Sequence, residues 1–319
     1  MARIAIIGAG ISGLTAARRL HDAGHECLVL EKSRGLGGRM ATRRANHLTF
    51  DHGAQFFTAR GARFARQVQA WQQQGVVATW GDGRLVGCPG MTAPADALAT
   101  PLNVRLNSRV ETLLRSVDGW HLRVERPSEN ADLDGPFDAV LLALPAPQAA
   151  ELAVTAGMGF PELDGVRYAP CIALLAAFEG QITMDRPSQE LSGQPLAWVA
   201  RNNTKPGRNA KPETLVAHAC PDWSREHIQK DPDQLAQPLL TALRPLLGSA
   251  RLLQHQVHRW LYARVEQAAD QSCLWDAEQR LGACGDWALG PRVEAAFDSG
   301  EALADTVLQA LPAPDRHAQ

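Results

Sequence analysis

Long apolar runs are absent from this chain of 319 residues, and with them any membrane-spanning helix, which needs about 20 consecutive apolar residues. An excess of one charge is absent as well. The formal net charge is −2, so no global field would draw the protein to nucleic acid or to an anionic membrane. Cys27, Cys88, Cys171, Cys220, Cys273 and Cys284 are scattered with no CxxC pair, and His255 and His258 stand three apart on an expected strand, hence on opposite faces. These spacings argue against a metal site. They also give no disulfide framework, which a chain of this length does not need, so reduced thiols in a cytoplasmic protein are the reading. Lysine and tyrosine are scarce: Lys32, Lys205, Lys211 and Lys230, with Tyr168 and Tyr262.

What the chain does have is concentrated in residues 1–39. Arg3-Ile4-Ala5-Ile6-Ile7 is a short β-branched run of the kind buried on both faces of a parallel sheet. Gly8-Ala9-Gly10-Ile11-Ser12-Gly13 follows at once, then Leu14, Ala17 and Leu20 at helical spacing, then a second strand, Cys27-Leu28-Val29-Leu30, ending in Glu31. Each part has a physical task. Gly8 permits the tight turn, Gly10 admits a pyrophosphate close to the backbone, and Gly13 lets helix and strand approach. The free N–H groups at Ile11 and Ser12 would attract phosphate, and Glu31 would accept from ribose hydroxyls. A glycine turn alone is a weak motif; with strand, helix and acid in place it points to a bound adenine dinucleotide. The apolar start has the composition of a secretory leader, but its residues build this turn, so the leader reading is rejected.

Directly after the acid comes a second glycine-rich, basic turn, Lys32-Ser33-Arg34-Gly35-Leu36-Gly37-Gly38-Arg39. It suits a cofactor lying extended across the domain, as FAD does, rather than NAD. Here the sequence resembles the amine-oxidase-like flavoproteins, whose E-x5-GGR motif matches Glu31, Gly37, Gly38 and Arg39 and whose D-x-GA segment matches Asp51, Gly53 and Ala54. Within them it resembles the renalase family, its bacterial members above all, through KSRGLGGRM and GAQFFTAR, and the likeness runs along most of the chain.

The resemblance implies an α/β architecture of two domains, as in the amine-oxidase and p-hydroxybenzoate-hydroxylase-like flavoproteins. A Rossmann-type FAD-binding domain would comprise residues 1–57, 90–145 and 275–319, and a mixed-sheet substrate domain residues 58–89 and 146–274. It also implies cofactor contacts from Lys32, Gly38, Arg39, Ala54, Gln55 and Phe56, a backbone pairing of Val110 with the adenine edge, and Asp286 on the ribityl chain. The last helix would aim the Val293 N–H at the flavin N1 and C2 carbonyl, where its dipole favours negative charge. Cys284 precedes Gly285-Asp286 in an expected strand, so the FAD is expected to be noncovalent.

Hydrophobic periodicity predicts helices at 60–74, 92–99, 146–153, 232–247 and 293–308. It predicts strands at 76–80, 84–86, 104–106, 110–114, 120–124, 137–144, 171–178, 196–201, 214–218 and 252–262. No second strand-GxGxxG-helix unit follows, so a pyridine nucleotide would have to visit through the substrate cavity. The polar, basic segment 201–211 is either a solvated loop or a rim that attracts substrate phosphates. Trp198, Arg201, Asn202, Trp260 and Tyr262 are the candidate substrate contacts, with core packing the alternative for the three rings.

Amine oxidases of this superfamily usually place an aromatic cage and a lysine near flavin N5. With two tyrosines, Lys32 in the cofactor turn, and Lys205, Lys211 and Lys230 expected in loops or at the surface, no candidate for that lysine remains. Oxidation of a dihydropyridine asks less, because the ring nitrogen expels the hydride and no general base is obligatory. No catalytic side chain is therefore named, flavin N5 being the reacting atom. The renalase family oxidises 1,2- and 1,6-dihydro-NAD(P) and passes the electrons to O2, and that activity is the expectation. A flavin amine oxidase or desaturase, and a non-catalytic flavin-binding module, are the alternatives. Oligomeric state is left open.

Overall fold

The computed structural model describes residues 1–126, 129–193 and 195–311, so the expected cofactor segment 275–319 extends beyond the described residues. β1 (Arg3–Ile7) is buried, and its side chains divide with the two-residue period of a strand. Ile4 and Ile6 pack with Leu14, Ala17 and Leu20 of α1 (Ile11–Asp22), whereas Ala5 and Ile7 join the core on the opposite face. β2 (Glu26–Leu30) runs parallel to β1 with Ile4 opposite Cys27.

The chain then makes the hairpin β3 (Thr42–Ala45) and β4 (Leu48–Asp51), helix α2 (Ala62–Gln73), and the hairpin β5 (Val77–Thr79) and β6 (Leu85–Gly87). Helix α3 (Ala93–Ala99) leads to β7 (Asn103–Arg105), which pairs parallel with β2. β8 (Arg109–Ser116), β9 (Gly119–Arg126) and β10 (Glu129–Phe137) form an antiparallel sheet. Its Leu113, Trp120, Leu122 and Val124 cover the second face of the parallel sheet. β11 (Ala139–Leu142) returns beside β1, followed by α4 (Ala146–Val154).

β12 (Arg167–Glu179), β13 (Ser188–Glu190), β14 (Leu196–Arg201) and β15 (Glu213–Ala219) lead to helices α5 (Pro221–His227) and α6 (Pro232–Leu247) and the long strand β16 (Arg251–Gln267). These five strands form an antiparallel sheet in the order β13-β14-β15-β12-β16. β12 is two-sided. Ile172, Leu174, Ala176 and Phe178 face α6, and Ala173, Leu175 and Ala177 face Phe50 of the β3–β4 hairpin. β17 (Leu274–Asp276) and β18 (Leu281–Ala283) then complete the first sheet, in the order β17-β18-β11-β1-β2-β7, and α7 (Val293–Ala310) closes onto α1. The fold is thus a mixed α/β one with a Rossmann-like dinucleotide layer, as the sequence predicts.

Two differences have clear causes. The expected strand 137–144 is two elements, with Phe137 ending β10 and β11 taking only Ala139–Leu142. β10 escaped notice because its acids, glycine and proline carry no alternating pattern; pairing with β9, Asp132 opposite Val124, makes it a strand. Among the described residues no helix is long and apolar enough to cross a membrane.

Candidate active site

The first turn sits at the head of the parallel sheet. Gly8 has φ 109°, a left-handed value, and donates to the Leu30 carbonyl at 2.8 Å. A Cβ on Gly13 would lie 2.1 Å from the Gly8 oxygen, so only hydrogen fits between helix and turn. A Cβ on Gly10 would meet nothing within 4 Å: that position opens on a cavity. Gly10 is also the N-cap of α1 and has no side chain to satisfy the first-turn N–H groups. Glu31 is 8% exposed, with one oxygen accepting from Ala9 N at 2.9 Å and the other from Ser33 N at 2.8 Å. Each oxygen keeps a lone pair for a further donor. Gly37 N donates to the Ala9 carbonyl at 2.9 Å, which lays the second glycine turn beside the first.

Further along the same cavity, Arg39 and Asp286 form a two-pronged ion pair at 2.7 and 2.6 Å. The α7 N-terminus, with Pro291, Arg292 and Val293, opens here without a side-chain cap. The acid of its first turn, Glu294, looks elsewhere and accepts from Arg60 N at 2.8 Å and Gly61 N at 2.6 Å at the start of α2.

The cavity measures 1980 Å³, well above the range of about 300–1000 Å³ usual for small-ligand sites. Of the sequence-predicted cofactor residues, Gly8, Gly10, Ile11, Ser12, Glu31, Lys32, Gly38, Arg39, Ala54, Gln55, Phe56, Val110, Asp286 and Val293 line it. Gly13 stands just behind, packed on Gly8. The length of the cavity, an open glycine at one uncapped helix start and a second uncapped helix start further along fit an extended dinucleotide cofactor.

Of the substrate candidates, Trp198, Trp260 and Tyr262 line the same cavity from the second sheet, and Arg201 and Asn202 do not. Arg201 is spent on Glu213, at 3.2 and 2.7 Å, and on the Met184 carbonyl. Asn202, 1% exposed, holds the backbone of Asp51 and Thr49. The basic segment 201–211 is therefore tied down at its start, while Gly207 and residues 209–211 are exposed and residues 207–209 border the cavity.

Lys205 overturns the expectation of a surface lysine: it is fully buried, with Nζ 3.0 Å from Asp51 Oδ2 and 3.2 Å from Gln55 Oε1. Arg208 reaches the same Asp51 oxygen at 2.6 Å, and Asp51 also accepts from Thr42 and Met91 N. The flanking cations and N–H groups overcome the burial penalty and hold the Asp51 carboxyl well below the usual range. In the sequence Asp51 stands out through its D-x-GA segment, whereas Lys205 and Arg208 show only as part of a polar segment in an otherwise neutral region.

Three histidines that were not among the sequence-predicted site residues line the cavity as well: His52, His218 and His258, the last weighed in the sequence only as a metal ligand. His52 and His258 pack edge to face at 4.7 Å, with Trp260 5.0 Å from His52. Burial pushes His52 down to about 3 and His218 and His258 to about 4, so all three are neutral at physiological pH. Cys171, the cavity-lining thiol, is pushed by burial up to about 12 and is no nucleophile.

Carboxylates are confined to one side of the cavity. The β3–β4 hairpin, the second sheet and the 207–209 loop contribute Arg43, Arg44, Arg208, Arg259 and Arg264 and, among the described residues, no carboxylate. Glu31, Asp96, Glu111, Glu151 and Asp286 come from the other side, which also carries Lys32, Arg34, Arg39, Arg60, Arg109 and Arg292, and Asp96 feels the charge of Arg44. Lys32 is the lysine that lines it; Lys205 stays behind the wall.

Comparison with known proteins accords with this geometry. The profile of an NAD(P)-binding Rossmann-like domain matches residues 6–70, and that of the flavin containing amine oxidoreductases matches residues 69–308. A 4,4'-diapophytoene desaturase (4,4'-diaponeurosporene-forming) of Staphylococcus aureus (strain Newman) is 47% identical over 51 residues, 16% of this chain and 10% of that protein. The chain thus matches only a small part of the curated relatives' length. Among solved structures, a proposed protoporphyrinogen oxidase from Exiguobacterium sp. 255-15 superposes with TM-score 0.73 at 14% identity, covering 96% of this chain and 98% of that one. An engineered putrescine oxidase gives 0.74 at 12%, covering 97% and 99%. At these identities the likeness shows the shared fold.

Proposed function

The chain belongs to the flavin containing amine oxidoreductase family, which implies a flavin cofactor, and on that premise we propose that it is a cytoplasmic, renalase-like FAD-dependent oxidase of isomeric dihydro-NAD(P). The FAD would be noncovalent, with segments 1–57, 90–145 and 275–319 forming its domain and 58–89 and 146–274 the substrate domain. Cys284, fully buried and with its thiol pushed up to about 12, is a poor point of attachment. When bound, FAD would accept the hydride of a 1,2- or 1,6-dihydronicotinamide at N5 and deliver the electron pair to O2, giving NAD(P)+ and H2O2.

The observation that carries this reading is that the hairpin-and-sheet side of the cavity presents arginines and, among the described residues, no carboxylate. Among the described residues no carboxylate pairs with Arg43, Arg259 or Arg264: Arg43 bonds to Gln256 and Arg259 to the carbonyls of Ile228 and Lys230. Such a surface attracts the phosphates of a nucleotide and repels an alkylammonium. Trp198, Trp260 and Tyr262 offer flat faces to a heterocycle, and the neutral His52, His218 and His258 add no charge against the pyridinium that forms there. No side chain is asked to act as a general base.

The test is peroxide release during aerobic turnover of partly borohydride-reduced NAD+, repeated with Arg43→Gln and Arg264→Gln. The proposal expects peroxide from the isomer mixture and a several-fold rise in KM with little change in kcat for each variant. Peroxide from a primary amine and none from the isomers would replace it with the amine oxidase reading.

A further inference from the structure

Behind the wall that Gly53, Ala54 and Gln55 present to the cavity lies a charge cluster that does not cancel. Asp51 carries one negative charge, and Lys205 and Arg208 meet the same Oδ2 from two sides at 3.0 and 2.6 Å. All three side chains are at most 1% exposed. Among the described residues neither cation has a second carboxylate. Arg208 otherwise bonds to the carbonyls of Gly87 and Pro206, its Nε has no partner, and Lys205 otherwise bonds to Gln55 Oε1. Burial and the neighbouring Arg208 lower the Lys205 pKa, and Asp51 opposes them; with Lys205 held as an ammonium by that carboxylate, one positive charge is left over. Solvent ions cannot reach it to screen it, while Arg208 itself borders the cavity. The cluster also fixes an amide: an ammonium only donates, so Gln55 must turn Oε1 to Lys205 and Nε2 to the carbonyls of Asp51 and Gly53.

We propose that Lys205, Arg208 and Asp51 form a net-positive positioning device that stabilises negative charge in the adjoining cavity, both on the reduced flavin and on small anions held against the same wall. The inference rests on a flavin in this cavity and not on which donor reduces it. A buried unit charge about 12 Å from an anion, acting across an effective dielectric constant of about 20, changes that anion's stability on the order of tenfold. For a two-electron couple that is a shift of about 30 mV.

The experiment uses the flavin-loaded protein and needs no substrate, so failure of the dihydro-NAD(P) reading leaves it intact. The reduction potential is measured against a reference dye, and the oxidised flavin is titrated with sulfite. Lys205→Met is expected to lower the potential by about 30 mV and weaken sulfite binding on the order of tenfold, and Lys205→Arg to keep both. If Lys205→Met fails to retain flavin, Arg208→Gln removes the same charge from the cavity side and must give the same downward shift. Unchanged values in the charge-removing variants, or a loss in Lys205→Arg as large as in Lys205→Met, would overturn the proposal.

Discussion

Gly13 stands where a single methyl group has no room. Its added Cβ would lie 2.1 Å from the Gly8 oxygen and 2.7 Å from the Ala143 Cβ. Gly13→Ala is expected to push α1 off the turn, cost about 1–3 kcal/mol, and yield protein with less bound flavin, as read from its absorbance per chain. The histidines give a second residue-level outcome. Their folded pKa values lie below the usual 6.5, so the unfolded chain binds more protons between pH 6.5 and about 4. The stability they contribute is complete above pH 6.5 and is lost as pH falls through that window. Thermal unfolding midpoints should therefore drop across it, and His218→Gln should flatten the slope. A further loss below about pH 4 belongs to Asp51, whose carboxyl takes up a proton there in the unfolded chain while it stays ionised in the folded one. At this scale the legible residues were those whose task is set by near neighbours: Gly8, Gly10, Gly13 and Glu31 occupy fixed places in one strand–turn–helix unit. Lys205 was not legible, because its burial depends on Asp51, 154 positions earlier.

Helix α7 crosses α1 at Gly300, where a Cβ would come 2.3 Å from the Ser12 carbonyl oxygen. That close approach places the α7 N-terminus and the first glycine turn on the same cavity. Gly300→Ala should separate the two helices and destabilise the protein by about 1–3 kcal/mol, seen as a lower thermal midpoint together with weaker flavin retention. A change confined to stability, with flavin content intact, would show that the two helix ends are positioned independently. Elements with strong periodicity could be read directly. β1, α1, β2 and α7 lie close to their predicted places because each buries a face whose spacing is written in one segment. β12 and β16 run longer than the sequence suggests, since their outer residues are held by pairing, Arg167 opposite Gln267 and Glu179 opposite Arg251, with shifts of register near Ala169. Such partners lie far apart in the chain and leave no local pattern.

For the whole molecule the net charge of −2 conceals the arrangement that matters: the hairpin-and-sheet side of the cavity carries arginines without carboxylates among the described residues, while the dinucleotide side carries both signs. Composition could not reveal that division, because it arises only when β3 and β16 are brought to one rim, Arg43 touching Gln256 at 3.2 Å. The partly exposed rim predicts a salt effect: KM for a phosphate-bearing donor should rise with ionic strength while kcat holds. The most direct test of the account is anaerobic mixing of the flavin-loaded protein with partly borohydride-reduced NAD+, with 1,4-NADH and with a panel of primary amines, followed by flavin absorbance. The account predicts fast bleaching by the isomer mixture alone, reversed by air with release of peroxide. Bleaching by an amine, with the isomers inert, would contradict it.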